Sequence, residues 1–124
     1  MAAVFTDIGE YFLTDMLMTG ALATDWHIGW GTGTTTEDKA DVDLENEATE
    51  ARVTATAVNE RATASDEGEF IGTLTTTTVK TISEAALYWA VTGTATRCFI
   101  RGTHTGVALA TDDQIRYTIR LEQT

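Results

Sequence analysis

Gln114-Ile-Arg-Tyr-Thr-Ile-Arg-Leu121 alternates without a break. Ile115, Tyr117, Ile119 and Leu121 fall on one side, and Arg116, Thr118 and Arg120 on the other. A period of two marks a half-buried strand, apolar face inward and polar face to water. The segments before it share this texture. A strand is predicted around Arg97–Arg101, followed by a loop over 102–106. Ile82 to Trp89 reads as another strand, with a turn at 92–94 after it. Phe70 to Val79 reads as a long strand, whose Thr75–Thr78 run forms its exposed or interface half. A polar turn over 66–69 precedes that strand. Before the turn, Arg52, Thr54, Thr56 and Val58 alternate with Val53, Ala55 and Ala57.

The first half differs. Residues 4–18 carry Phe5, Ile8, Phe12 and Met16 on one helical stripe, with Asp7, Glu10 and Thr14 opposite. Thr6 is placed to cap this helix, Asp7 and Glu10 suit its positive end, and Gly20 is placed to stop it. Gly9 weakens it by about 1 kcal/mol relative to Ala. Trp26, Ile28 and Trp30 then alternate with His27 and Gly29 as a strand. Gly29, Gly31 and Gly33 follow in a Gly-x-Gly-x-Gly spacing. A dinucleotide loop needs a helix right after such glycines, and threonines and acids follow here. The glycines instead predict a place where backbone or a bulky ring comes close.

These segments describe one domain over 1–124, with a helix about 4–18, an acidic loop about 31–50 and a β-rich remainder. The fold expected is mainly β: an antiparallel β-sandwich or jelly-roll-like barrel with one short N-terminal helix. Threonine, a β-branched residue, is the commonest residue, and proline is absent. Apolar residues make up 43% of the chain, enough to build a core rather than a disordered coil.

A net charge of −11 repels phosphate, which argues against nucleic-acid and anionic-membrane partners. No apolar run is long enough to span a bilayer, and the N-terminal stretch lacks the basic region of a signal peptide. The lone Cys98 has no partner for an intrachain disulfide, which fits a reducing compartment.

The search for chemistry returns no catalytic set, and no enzyme activity or cofactor is expected. Cys98, His104 and Asp112 supply the residue types of a nucleophilic triad, but nothing in their spacing enforces its geometry. Cys98 reads instead as a buried structural thiol. Asp41, Asp43 and Glu45 suggest a calcium loop, yet Asn46 stands where the EF-hand needs Gly and Arg52 where it needs Glu. Two histidines are too few for a zinc site.

Charge distribution is more informative. Acids concentrate in 37–50, and Arg97, Arg101, Arg116 and Arg120 concentrate in the last third. Each arginine pair is evenly spaced and so shares a strand face. The candidate interface is therefore Glu37, Asp41, Asp43 and Glu47 against Arg97, Arg101, Arg116 and Arg120. Head-to-tail contact between copies and pairing within one chain both account for that pattern.

Taken in order, these features resemble a widespread group of small bacteriophage virion proteins. The features are a helix, then Ile28-Gly-Trp-Gly-Thr-Gly-Thr34, then Asp41, Leu44, Glu47 and Arg52. Thr81-Ile-Ser-Glu-Ala-Ala-Leu-Tyr88, Arg97-Cys-Phe99 and Asp113-Gln-Ile-Arg-Tyr-Thr-Ile119 follow. The order holds over nearly the whole chain. It departs after Phe99, where relatives often carry proline and this chain has Ile100-Arg-Gly-Thr-His104. The resemblance implies a virion component, assembled in the host cytoplasm. Within that group a capsid decoration (cement) protein is expected, forming a homotrimer and contacting a major capsid protein or another virion protein. The alternative is a tail, baseplate or fibre-associated protein touching host glycan through Trp26, Trp30 or Trp89.

Overall fold

The computed structural model describes residues 2–19, 26–59, 67–89 and 98–122. Its elements are β1 (Ala2–Phe5), α1 (Asp7–Thr19), β2 (His27–Gly31), β3 (Val53–Thr54) and β4 (Thr56–Asn59). β5 (Glu67–Thr75), β6 (Lys80–Tyr88), β7 (Cys98–Leu109) and β8 (Gln114–Glu122) follow. Two antiparallel sheets form, ordered β1-β7-β6-β2-β3 and β4-β5-β8. The expectation of a mainly-β, antiparallel, sandwich-like fold with one short helix is met. The core lies between the sheets, built from Ile28, Trp30, Leu74, Ile82, Leu87, Phe99, Tyr117 and Ile119.

The helix starts later than its periodicity suggested. Val4 and Phe5 pair with Arg101 and Ile100 of β7. Phe5 also meets the Phe99 ring edge-on at 4.6 Å. Long-range pairing therefore takes these residues from the helix. Thr6 caps it as expected: its hydroxyl accepts from Gly9 N–H at 3.0 Å and donates to the Cys98 carbonyl at 2.7 Å. The cap thus also fixes the helix on the sheet. Gly9 is explained by the same packing, because a Cβ there would lie 2.4 Å from the Phe99 carbonyl oxygen. Gly20, Asp66 and the 92–94 turn lie outside the described residues.

Four strand boundaries differ from the sequence reading. β5 begins at Glu67, so Glu67–Glu69 of the expected polar turn pair with Glu122, Leu121 and Arg120 instead. The alternation over 52–58 is split between sheets, β3 ending one and β4 starting an edge of the other. At the switch, Ala55 N–H donates to the Trp26 carbonyl at 2.8 Å. β5 stops at Thr75 rather than continuing to Val79. Thr76 is fully buried, and its backbone bonds to Asp112 and Asp113 at 2.9 Å each. The threonine run is therefore a turn crossing to β6 rather than half of a strand: Thr76 anchors it in the interior, while Thr75, Thr77 and Thr78 are exposed, as expected of them. Finally, the loop expected over 102–106 is part of β7. The register between β6 and β7 shifts there, with Ile82 opposite Val107 but Glu84 opposite Thr103. An irregular strand with two glycines reads as a loop when partners are unseen.

Candidate functional site

Residues 32–52 form a strap over the outer face of the five-stranded sheet. Beneath it, β6 places Glu84, Ala86 and Tyr88 on that face, and all three are buried. Glu84 and Arg101 lie at its centre, their side chains 0% and 1% exposed. Arg101 donates to Glu84 Oε2 from Nε at 3.1 Å and from Nη2 at 2.9 Å. Its Nη1 reaches Asp41 at 2.7 Å, and Nη2 reaches the Thr35 carbonyl at 3.0 Å. Glu84 in turn accepts backbone N–H groups from Gly33, Glu45 and Asn46, at 3.0, 3.0 and 2.8 Å. One buried carboxylate thus satisfies three strap amides and a guanidinium, which makes its burial tolerable. At Gly31 a Cβ would sit 2.4 Å from the Asn46 carbonyl and 2.5 Å from Glu84 Oε1. Glycine is needed there by close approach, as the sequence suggested.

A second clasp lies further along the strap. The Arg52 guanidinium stacks 3.3 Å above the Tyr88 ring. It donates to Glu47 from Nε at 3.1 Å and Nη2 at 2.8 Å. The Tyr88 hydroxyl donates to Asp43 and also contacts Glu47. Leu44, buried at 7% exposure, packs with Ala86, Tyr88 and Cys98 between the clasps. A third tie closes the strap. Glu50 accepts from Lys80 Nζ at 2.6 Å and from Thr77 N–H at 2.9 Å. At the other end, Glu37 accepts from the Thr103 hydroxyl, and Lys39 reaches Glu10 on α1 at 2.9 Å.

These contacts set the protonation states. Burial, and then the hydrogen bond to Asp43, push the Tyr88 phenol well above its usual range, so it stays a donor. Burial would push Glu50 up, but Lys80 and Thr77 outweigh it and bring the carboxyl to about 2. The Thr103 hydroxyl lowers Glu37, and the Thr35 amide lowers Glu45. Burial works against the Arg101 charge, yet Asp41 and Glu84 hold it more firmly protonated than usual. Fixed charges satisfied by fixed partners can fasten a segment.

The residues expected at an interface therefore divide. Asp41, Asp43, Glu47 and Arg101 come together, but inside one chain, and Glu37 ties the same strap. The buried guanidinium of Arg101 corrects its expected place on an outward arginine face. Arg97 lies outside the described residues. Arg116 and Arg120 share the exposed face of β8, as the alternation required, with Arg120 2.6 Å from Glu69. Cys98, His104 and Asp112 are not gathered. His104 hydrogen-bonds Tyr117 and the Thr105 carbonyl, while Cys98 is fully buried with its thiol pushed up to about 12 by burial. Among the described residues, no group of three or more His, Cys, Asp or Glu is arranged to hold a metal ion. Trp30 is fully buried, which removes it as a sugar-stacking surface. Trp89 stacks on Phe12 at 4.0 Å within an aromatic cluster that includes Trp26.

No protein-family model, curated protein or solved structure matches this chain. Sequence reasoning missed the role of Glu84, Arg52 and Tyr88 at the clasps. A signal was present, for Glu84 interrupts an otherwise apolar or small run, Ile82-Ser-Glu-Ala-Ala-Leu87. An acid in such a strand calls for a buried cation.

Proposed function

We propose that this chain is a bacteriophage virion structural protein. Within that class we assign it as a capsid decoration protein that stabilises the head through protein–protein contacts. One observation carries this reading. The residues that bear the virion-protein resemblance, from Gly31 and Gly33 through Asp41, Leu44, Glu47 and Arg52 to Glu84 and Tyr88, converge on the strap clasps. The shared pattern is thus a recipe for a rigid shell around a sandwich rather than for a reactive centre. Rigidity suits a protein that acts by contact area. A standard interface buries about 1,600 Å², and copies of it repeated over a head resist outward pressure without any reaction.

The test is co-sedimentation of the purified chain with empty expanded heads of the phage that encodes it. Binding is expected to saturate at a fixed number of copies per capsid subunit. Absence from heads, together with presence in isolated tails, would move the protein to the tail or baseplate reading.

A further inference from the structure

We propose that β8 is a self-association edge at which two copies of this chain pair β8 against β8, antiparallel, about a twofold axis. This goes beyond the virion reading and is tested without heads.

Four strands end the two sheets. β1 and β4 have four residues each and β3 has two. β8 has nine, in unbroken register with β5 from Gln114 to Glu122. Among the described residues, no strand pairs with its other side. A long regular edge offers a row of unpaired N–H and C=O groups to another strand, and proteins blunt such edges with charged side chains, of which β8 has Arg116 and Arg120, or more firmly with bulges, proline or short length. None of these last three devices blunts β8.

Charge selects the occupant. Two copies each carrying −11 repel across most of their surfaces. Residues 114–121 hold two arginines and no acid, so over this span the copies approach without setting acid against acid, and Glu122 is the strand's one acid, at its very end. Arg116 is exposed and makes no ion pair with any described residue. A twofold contact also keeps the faces matched, because inward positions oppose inward ones. The register centred on Tyr117 sets Ile115 against Ile119, Thr118 against Arg116 and Gln114 against Arg120. Registers centred on 116, 118 or 120 set arginine against arginine and are disfavoured.

Sedimentation velocity over a concentration series tests the proposal. The chain is expected at twice its 13.4 kDa mass at high concentration. The double variant Arg116→Glu, Thr118→Glu places carboxylate opposite carboxylate and is expected to remain monomeric with an unchanged circular dichroism spectrum. Amide exchange on the unaltered protein is a second readout that needs no variant. Exchange of the β8 amides is expected to slow as concentration rises. A monomer throughout, a threefold mass, a variant that keeps the dimer, or β8 exchange independent of concentration would each overturn the proposal.

Discussion

Arg101 and Glu84 face each other across neighbouring strands, 2.9 Å apart at Nη2 and Oε2, and the strap seals them from water. Their pairing turns an acidic segment into a covering layer. Removing the Glu84 charge leaves the buried Arg101 guanidinium with Asp41 as its only hydrogen-bonded carboxylate among the described residues, and weakens the acceptor of three strap amides. Glu84→Gln is therefore expected to destabilise the fold by about 3–5 kcal/mol, read as a lowered midpoint in urea unfolding. Glu84→Gln with Arg101→Met is expected to cost less than the sum of the two single changes. A single-variant loss below about 1 kcal/mol would reduce the pair to an ordinary surface bridge.

Acid should loosen the strap in a defined window. Glu50 has a folded-state value of about 2, below its ordinary 4.5, and Glu37 and Glu45 are also lowered. Groups lowered by folding contribute stability above the unfolded value and lose it as pH falls through the folded one. Stability is thus expected to decline from about pH 4.5 towards 2. Glu50→Gln should lower stability at neutral pH and flatten the decline. Unfolding curves collected across that range check this; an unchanged slope in the variant would remove Glu50 from the account.

Two effects oppose each other at Gly9. Alanine gains about 1 kcal/mol of helix propensity. Its Cβ would also meet the Phe99 carbonyl at 2.4 Å and the Phe5 ring at 2.8 Å. Overpacking costs typically 1–3 kcal/mol, and backbone cannot swing aside as a side chain can. Gly9→Ala is expected to be net destabilising, by about 1–2 kcal/mol. A raised melting temperature would mean that α1 sits less tightly on β7 than a 2.4 Å approach to the Phe99 carbonyl requires.

Cys98 should be inert in the folded protein. It is fully buried, and burial pushes its thiol up to about 12. Labelling with a thiol-specific disulfide reagent at neutral pH is expected to be slow and to accelerate with denaturant in step with unfolding. Rapid labelling of native protein would contradict that burial.

Local pattern carried the strands whose two faces differ. Gln114–Leu121 was legible because Ile115, Tyr117 and Ile119 turn inward while Arg116, Thr118 and Arg120 stay exposed. It carried the Thr6 cap for the same reason, since three residues suffice to write it. Elements defined by distant partners were less legible. Ala2–Phe5 is a strand because of β7, and Thr76 is buried because of Asp112 and Asp113. The acidic run was read as an interface counterpart to Arg97, Arg101, Arg116 and Arg120. Of these Arg101 meets it within the chain, through a strand placement that no local spacing encodes, and Arg52, five residues from Glu47, joins it unforeseen.

β1 docks against Ile100–Thr103, and the Thr6 hydroxyl bonds the Cys98 carbonyl. Segments separated by 92 residues of chain are thus bound to each other. Until β7 has been synthesised, β1 has no edge to join and α1 has no surface to rest on. Both must wait, exposed, until β7 is available. Folding is therefore expected to end in one closing step that seats β1 and α1 on β7.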